Sequence, residues 1–401
     1  MRKLSLLVAM LAAVLTGATM VSAAPASAAP TASADIGISP GAPLMGESDT
    51  DLARDLDAIR ASGAGWIRVG SDWSIIEGTR GAFNWASTDR VVDAARARGL
   101  QVLGLVLFTP RWAQDPSVPA GNTHGRPASA TAFGTFAGQA AAHYAGRISN
   151  WEIWNEPNLS SFFAPRVDAP FYTSMLSASY SAIHAALPGA TVMSGGLAPA
   201  GDTTDGSATS PLTFLTQMYA GGAHTSMDAV AMHPYCYPAM ADDASTASWN
   251  AFYRLRNMHD VMASNGDGAK KIWLTEFGAP TATVQTGIGP VVINEQTQAS
   301  MISNGLASAR TLPYVGPTFV YTIRDYGTGN ADPEQNYGML RTDFSAKPAY
   351  AALQSAAATA SSTPPPVVVA PPAPPPAPLT IQQIVEQFWQ WLLQFFLPLF
   401  H

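Results

Sequence analysis

Short apolar runs alternate with longer amphipathic stretches from residue 36 to residue 358. The short runs have the length of buried strands, whereas the longer stretches repeat their apolar positions with helical spacing. The predicted strands are residues 36–38, 66–69, 102–107, 148–154, 191–194, 229–233, 272–275 and 318–323. The predicted helices are residues 51–62, 88–98, 130–144, 169–187, 211–220, 248–263, 294–309 and 346–358.

This alternation of strand and helix is typical of βα units around a parallel sheet, in the α/β class. Residues 29–362 have the length of a single (β/α)8 TIM barrel rather than of several small domains. A closed barrel places its active site at the carboxyl ends of the strands, in the loops that follow them. Side chains at those strand ends are therefore the first candidates for chemistry.

The amino end has the pattern of an export signal. Arg2 and Lys3 precede an apolar stretch over residues 4–21, and the small residues 26–28 form a cleavage site. Residues 1–28 are therefore predicted to be a signal peptide, and the mature protein to be secreted or associated with the cell envelope. An uncleaved membrane anchor is the alternative, which the Ala/Pro-rich segment after the signal disfavours.

The carboxyl end has a different composition. Residues 363–378 are dominated by Pro, Ala and Val, which favours an extended Pro-rich linker. Residues 379–401 repeat glutamines at four-residue spacing against apolar positions, which predicts an amphipathic C-terminal helix. It has three interpretations, namely a helix docked on the barrel, an oligomerisation element or a membrane-facing segment. Contact with an envelope lipid or a partner protein is favoured, although no Lys or Arg supports attraction to anionic lipid.

Charge and cysteine content limit which partners, disulfides and metal sites are expected. The formal net charge of −7 makes nucleic acid an unexpected partner. The single cysteine, Cys236, excludes an intramolecular disulfide, so the core must supply the stability. No Cys/His cluster has metal-ligand spacing, and neither a metal nor an organic cofactor is expected.

Two glutamates end predicted strands in aromatic surroundings. Glu156 lies in the sequence WEIWNEPN of residues 151–158, and Glu276 lies in KIWLTEFG of residues 271–278. Cleavage of a glycosidic bond needs one carboxylic acid to protonate the leaving oxygen and a carboxylate on the other face of the sugar. A lone glutamate at a strand end would more often be solvated, but the pair indicates glycoside hydrolysis.

The chain also resembles a known group of enzymes. The motifs WIRV at 66–69, GAFNW at 81–85 and TPRW at 109–112, with the two glutamate motifs on strands four and seven, are similar to clan A glycoside hydrolases. The resemblance is greatest to glycoside hydrolase family 39 and to related exported bacterial polysaccharide hydrolases. It implies that Glu156 is the acid/base, that Glu276 is the nucleophile and that the anomeric configuration is retained.

The same resemblance suggests further residues of the site. It implies that Asn155 donates to the sugar 2-hydroxyl, that Arg68 holds the nucleophile charged and that Tyr235 contacts Glu276. His233, from the strand-six motif, is a candidate for a sugar subsite or a buried structural histidine. Where many clan A enzymes have a tryptophan platform after strand eight, this chain offers Tyr321.

Three side chains near these motifs have competing interpretations. Trp112 and Trp154 are candidates for stacking on a sugar, although core packing is the usual role of tryptophan. Glu152 has the strand parity of Glu156, and it is expected to point into the barrel and pair with Arg68 as a structural ion pair.

The sequence therefore predicts a secreted retaining glycoside hydrolase that acts on a poly- or oligosaccharide. Two alternatives stay open, namely a cell-wall glycan transglycosylase that uses the same covalent intermediate and a carbohydrate-binding envelope protein without turnover. Intact glutamates disfavour the binding protein. The fold by itself does not decide between them, because barrels support many functions.

Overall fold

The computed structural model describes residues 32–41, 43–287 and 289–362. The predicted signal peptide, Pro-rich linker and C-terminal helix lie outside these residues. None of the helices in the described part combines the length and apolar character needed to cross a membrane.

Eight parallel strands close into a barrel, as the alternating pattern predicts. In chain order, the barrel strands are β1 (Ser33–Ile38), β2 (Ala64–Asp72), β3 (Gln101–Leu107), β4 (Asn150–Asn155), β5 (Thr191–Gly196), β6 (Ala229–Met232), β7 (Lys271–Phe277) and β10 (Val315–Val320). The strands β8 (Thr283–Thr286) and β9 (Gly289–Val292) lie between β7 and β10 in the chain and form a separate two-stranded sheet. The barrel order is β1-β2-β3-β4-β5-β6-β7-β10, and β10 pairs with β1 to close it. The (β/α)8 prediction is confirmed, whereas the antiparallel β8–β9 hairpin was not predicted.

Helices connect the strands on the outside of the barrel. They are α1 (Asp49–Ala61), α2 (Trp73–Ile76), α3 (Ala86–Ala97), α4 (Ala130–His143), α5 (Ala169–Ala186), α6 (Pro211–Ala220), α7 (Leu255–Ser264), α8 (Glu295–Thr311) and α9 (Pro348–Ser362). Side-chain oxygens of Ser48, Ser129 and Asn294 accept bonds from the first-turn amides of α1, α4 and α8, which fixes where these helices begin. The prediction of a helix over 248–263 is wrong at its start, because α7 begins at Leu255.

The barrel interior is layered. A buried cluster fills its amino-terminal part, and its members include Trp66, Leu103, Trp273 and Phe319. Side chains two residues apart on a strand share a face, so Arg68 lies one layer above Trp66 on β2. The apolar layer thus supports a charged layer nearer the carboxyl ends of the strands.

Candidate active site

The two glutamates lie at the same rim of the barrel. Glu156 directly follows β4, and Glu276 is the penultimate residue of β7. Because all barrel strands are parallel, both belong to the carboxyl-terminal face, where barrel enzymes have their active sites. Their side chains are 14% and 15% exposed, so each is accessible from a largely buried position.

Arg68 is the buried centre of the site. Its Nε and Nη2 atoms donate to the two oxygens of Glu152 at 2.7 and 2.9 Å, which is a bidentate ion pair. Nη1 donates to Oε1 of Glu276 at 2.6 Å, and Nη2 also donates to Oδ1 of Asn155 at 2.9 Å. The predicted pairing of Glu152 with Arg68 is confirmed, and one guanidinium connects β2, β4 and β7.

Hydrogen bonds fix the position of Glu152 beside Arg68. It is fully buried, and its Oε1 also accepts from the backbone N–H of Gly196 at 2.8 Å and from the hydroxyl of Thr275 at 3.1 Å. A buried carboxylate with this many donors stays satisfied, and it fixes the orientation of the Arg68 fork. Arg68 can then hold Glu276 without moving.

The surroundings of Glu276 favour its charged form. Its Oε2 accepts from the hydroxyl of Tyr235 at 2.9 Å, which confirms the predicted contact. Burial alone would raise the pKa of Glu276, but the charges of His233 and Arg68 and the hydrogen bonds of Tyr235 and Arg68 together lower it below the ordinary value. Glu276 is therefore a carboxylate in the resting site, as a nucleophile must be.

His233 lies between the two glutamates. Its Nδ1 is 3.0 Å from Oε1 of Glu156 and 3.7 Å from Oε2 of Glu276. Burial opposes a charged imidazole, yet the charges of Glu276 and Glu156 and the hydrogen bond to Glu156 raise the pKa of His233. The histidine is thus part of the environment of the two glutamates and not an isolated core residue.

A glycine makes room for this histidine. A Cβ atom on Gly196, the last residue of β5, would overlap Nε2 of His233 and lie 2.7 Å from the Thr275 hydroxyl. Nε2 is buried and has no hydrogen-bond partner among the described residues. The ring can therefore interact with the site only through Nδ1, which faces both carboxylates.

The segment that carries Glu156 has a strained backbone. Trp154 and Glu156 have φ angles of 73° and 49°, in the left-handed region that costs a residue with a Cβ about 1–3 kcal/mol. The backbone N–H of Glu156 donates to the carbonyl of Gly196 at 3.0 Å, which helps to hold this conformation. The strain turns Glu156 out of the strand and toward His233.

The two tryptophan predictions have different outcomes. Trp154 is fully buried among Phe108, Phe133 and Phe163, and its Nε1 donates to the carbonyl of Phe162. The prediction that Trp154 stacks on a sugar is therefore wrong, because its left-handed backbone turns the indole into the core.

Trp112 is half-buried in the segment after β3. Its Nε1 donates to the carbonyl of Glu77 at 2.9 Å, and the guanidinium of Arg80 lies 4.6 Å from the centre of the ring. Its sugar-stacking role stays a prediction.

A wall of tyrosines flanks Glu276. Tyr321, at the end of β10, lies against Tyr235 and Tyr337, with ring centres 6.5 and 5.2 Å away. The hydroxyls of Tyr237 and Tyr337 are 2.7 Å apart. Tyr321 thus occupies the expected side of the site, and its role as a sugar platform stays a prediction.

Tyr337 of this region had no sequence signal. It lies 17 positions beyond the end of β10, where neither periodicity nor motif indicates a site. Glu334 is in sequence a loop carboxylate, for which a solvated surface charge is the default and contact with a sugar hydroxyl the alternative. In the structure, burial and the negative charges of Asp332, Glu276 and Glu156 raise the pKa of Glu334, so a third carboxyl group lies within electrostatic range of the two glutamates.

Comparisons with known proteins concern the sequence and the fold of the chain. Residues 70–180 match the sequence model of Glycosyl hydrolase family 10. No curated protein matches the sequence significantly. In the described part of the chain, no group of three or more His, Cys, Asp or Glu side chains is arranged to hold a metal ion.

Solved structures of glycosidases share the fold. A family 39 glycoside hydrolase from the gut symbiont Bacteroides cellulosilyticus is 21% identical with a TM-score of 0.65, over 82% of this chain and 64% of that chain. A monomeric β-xylosidase from Caulobacter crescentus is 16% identical with a TM-score of 0.60, over 82% of this chain and 68% of that one. A family 5, subfamily 18 glycoside hydrolase from Streptomyces cattleya, in complex with GlcNAc, is 19% identical with a TM-score of 0.63, over 84% and 82%.

The chain spans less than two thirds of the family 39 structure, and the structural likeness at these identities concerns the fold. The sequence match and the structural neighbours nevertheless belong to one group, since families 10, 39 and 5 are all in clan A. The chain is therefore similar to the clan A glycoside hydrolases, in the sequence of residues 70–180 and in its (β/α)8 barrel.

Proposed function

We propose that this protein is an exported retaining glycoside hydrolase that cleaves the O-glycosidic bonds of a poly- or oligosaccharide. The observation that carries the proposal is the unequal environment of two neighbouring carboxyl groups. Glu276 is held by Arg68 and Tyr235, whereas Glu156 contacts neither of them and faces His233. Different environments are how one site obtains an acid and a nucleophile from the same residue type.

In the first step Glu276 attacks the anomeric carbon. Glu156 gives its proton to the glycosidic oxygen as the bond between that oxygen and the anomeric carbon breaks, so the leaving group departs as an alcohol. The sugar is then bound to Glu276 as an ester, and Glu156 is a carboxylate. Ester formation removes the charge of Glu276, which is the largest of the effects that raise the pKa of His233.

In the second step Glu156 acts as a base. It takes a proton from water while the water oxygen attacks the anomeric carbon and the ester to Glu276 breaks. Two inversions leave the sugar with its original configuration, and both glutamates return to their starting states. No metal or organic cofactor enters this sequence of steps.

The spacing of the carboxyl groups is compatible with retention. Oε1 of Glu156 is 3.0 Å and Oε2 of Glu276 is 3.7 Å from Nδ1 of His233, so these two oxygens are at most about 7 Å apart. Retaining enzymes have carboxyl groups about 5–5.5 Å apart, whereas inverting enzymes need about 6.5–9.5 Å to admit a water. The retaining distance lies within this limit.

The orientation of Asn155 supports its assignment as a sugar donor. Arg68 can only donate hydrogen bonds, so the atom of Asn155 that faces it must be the carbonyl oxygen. The amide NH2 group is then left to donate to a substrate hydroxyl. This is the role expected for Asn155 toward the 2-hydroxyl of the sugar that becomes bound to Glu276.

The substrate class follows from the relatives and from the site. The similar structures include an enzyme described as a β-xylosidase and one crystallised with GlcNAc. A β-linked pyranoside is therefore proposed for the bound sugar. The formal net charge of −7 disfavours a strongly anionic sugar.

Paired variants test the two roles, with aryl β-glycosides as substrates. Glu276→Gln is expected to abolish turnover, because no nucleophile remains. Glu156→Ala is expected to keep the hydrolysis of 2,4-dinitrophenyl glycosides, whose leaving group needs no proton, and to lose that of phenyl glycosides. Equal residual activity of both variants on both leaving groups would contradict the assignment.

Analysis of the products and of glycan binding distinguishes two alternative functions from hydrolysis. A transglycosylase would form the same intermediate but transfer the sugar to a second glycan, so lengthened products would replace free reducing ends. A binding protein would retain a glycan without releasing any product. The position of Glu276 between two cationic groups favours turnover, because a site made only for binding does not need a held nucleophile.

The proposed location rests on the ends of the chain. Residues 1–28 would direct export, and residues 379–401 would contact an envelope lipid or protein. A protein truncated after Thr363 should fractionate less with the cell envelope than the intact chain does. Equal fractionation of the two would remove the C-terminal segment from the proposal.

A further inference from the structure

Exposed large apolar side chains of the described residues are all on one face of the barrel. They are Ile75, Phe83, Trp249 and Val292. Each lies in a segment that follows a barrel strand, after β2, β6 or β7, on the face that carries the catalytic pair. Trp249 is the largest of them, and it is 51% exposed.

Hydrogen bonds within its loop hold Trp249 in an exposed position. The next residue, Asn250, is fully buried, and its amide donates to the carbonyl of Met240 at 2.8 Å and to the hydroxyl of Thr246 at 2.9 Å. Its carbonyl oxygen accepts from the backbone N–H of Tyr253 at 3.0 Å. Three hydrogen bonds from one buried side chain therefore fix the backbone that presents the indole to solvent.

Trp249 borders a narrow groove between the β5–α6 and β6–α7 loops. Its lining includes Pro199 and Leu212 from the β5–α6 connection and the start of α6, Trp249 and Arg254 from the β6–α7 loop, and Met232 from β6. The volume open to the centres of water molecules inside it is about 30 Å³, so the groove is a small recess. A sugar unit would therefore lie across its mouth, on the indole.

The groove lies on the same rim of the barrel as the two glutamates, because its loops follow β5 and β6. Met232 directly precedes His233, but neighbouring residues of a strand face opposite sides, so Met232 packs toward the helices whereas His233 faces the barrel interior. The loop after β5 is tied to the segment after Glu156, because Asn158 exchanges hydrogen bonds of 2.8 and 2.9 Å with the backbone of Ala198. A glycan that extends over the rim between these two loops would therefore reach the groove.

The chemistry of the groove matches a sugar ring. No aromatic ring or cation of the described residues stacks on Trp249, so its surface is available to the apolar C–H face of a pyranose. The guanidinium of Arg254 makes no hydrogen bond or ion pair with any described residue. Its donors are therefore available for sugar hydroxyls beside the stacked ring.

We propose that Trp249 and Arg254 form a distal subsite that binds a sugar unit of the substrate away from the bond that is cleaved. The proposal rests on the glycosidase function and deepens it, because a distal subsite is of use only for a polysaccharide or a long oligosaccharide. Trp249 supplies the stacking surface, and Arg254 fixes the orientation of the ring.

Binding without turnover gives the first test. The intact protein carrying Glu276→Gln is run in native gels that contain soluble xylan, hydroxyethylcellulose, galactomannan or chitosan. At least one polysaccharide should retard it, and adding Trp249→Ala should raise the dissociation constant at least fivefold, with a smaller rise for Arg254→Ala. Ile75→Ala, which removes an exposed apolar side chain on the same face but after β2, across the barrel axis from β6, is the matched control and should leave retardation unchanged.

Turnover gives the second test, in the protein with both glutamates intact. Trp249→Ala should raise KM for the retarding polysaccharide at least fivefold and leave kcat/KM for an aryl glycoside of the same sugar unchanged. Circular dichroism confirms that each variant is folded. Retardation of the Trp249 variant equal to that of the Ile75 variant, absence of retardation by all four polysaccharides, or equal loss on polymer and aryl glycoside would overturn the subsite.

These outcomes are separate from failure of the glycosidase proposal. If aryl glycosides and polysaccharides were bound but never cleaved, the glycosidase function would be wrong, while retardation that depends on Trp249 would still establish a sugar site. If cleavage depended on both glutamates but not on Trp249, the subsite alone would be wrong.

Discussion

His233 places its Nδ1 atom 3.0 Å from Oε1 of Glu156. The same nitrogen is 3.7 Å from Glu276, so one imidazole faces both carboxyl groups of the proposed mechanism. The positive charge of His233 helps to lower the pKa of Glu276, and the negative charge of Glu276 helps to raise that of His233. The two groups therefore stabilise each other's charged form.

This relationship predicts a change in pH dependence when His233 is replaced by Asn. The nucleophile must be ionised, and its lowered pKa places the acid limb of kcat/KM of the unchanged protein below the ordinary pKa of a glutamate. Removing the imidazole raises the pKa of Glu276, so the acid limb moves to higher pH. We expect kcat/KM at the optimum to fall about 10- to 100-fold, since hydrogen bonds to charged groups contribute about 1.5–3 kcal/mol.

His184→Asn is the matched control for this profile. His184 lies on α5 and contacts Asp228 on the outside of the barrel. Its replacement should leave both the acid limb and kcat/KM unchanged. If His233→Asn gave the same profile as this control, His233 would have no part in holding Glu276 charged.

The hydroxyl of Tyr235 should also affect the acid limb of kcat/KM. Tyr235→Phe removes the 2.9 Å hydrogen bond to Oε2 of Glu276, which stabilises the carboxylate. We expect about a tenfold loss of kcat/KM and an acid limb at higher pH, with the free energy of unfolding nearly unchanged. Tyr180→Phe, which removes a hydroxyl that bonds to Asp228 on the barrel exterior, should change neither. An unshifted acid limb in the Tyr235 variant would argue that Arg68 and His233 alone fix the pKa.

Glu152 should contribute to stability more than any surface carboxylate. Glu152→Gln leaves the buried guanidinium of Arg68 without its bidentate partner, and breaking a buried pair costs about 3–5 kcal/mol. The measurement is the free energy of unfolding in urea. Glu295→Gln removes a carboxylate from a half-exposed pair with Arg341 and should cost at most about 1 kcal/mol. Similar losses for the two variants would mean that the Arg68 network is not the main support of the site.

Replacing Trp154 should mainly change stability, whereas replacing Trp112 should mainly change KM. Trp154→Ala opens a cavity among buried rings and should lower the free energy of unfolding by about 3–5 kcal/mol. Trp112→Ala should raise KM for a glycan with a smaller loss of stability, because the ring is only half-buried. A rise in KM for the Trp154 variant at unchanged stability would contradict its placement in the core.

The sequence was sufficient for the barrel and for the residues at its strand ends. Strand and helix periodicities are local, and parallel strands bring Glu156 and Glu276 to one rim whatever the details of the loops. Arg68, Tyr235 and Asn155 were placed near them by the resemblance to clan A glycoside hydrolases. Only the pairing of Glu152 with Arg68 followed from the alternation of side chains along a strand.

Other features depend on contacts between distant residues, which periodicity does not report. The segment before α7 has a helical pattern, but Asn250 bonds to Met240 and holds it in turns until Leu255. The sugar-stacking prediction for Trp154 was wrong because the sequence does not reveal the left-handed backbone at that position. Tyr337 reaches the site through a long loop, so nothing in its own neighbourhood indicates it.

The proposed mechanism requires Glu276 to form a covalent bond to the sugar. This bond can be detected by mass spectrometry of the intact protein after incubation with a panel of 2-deoxy-2-fluoroglycosides, whose fluorine slows breakdown of the intermediate. We expect an added mass of one fluorosugar on the unchanged protein, located on the peptide containing Glu276, and none on the Glu276→Gln variant. An adduct that persists in that variant, or one on Glu156 instead, would show that Glu276 is not the nucleophile.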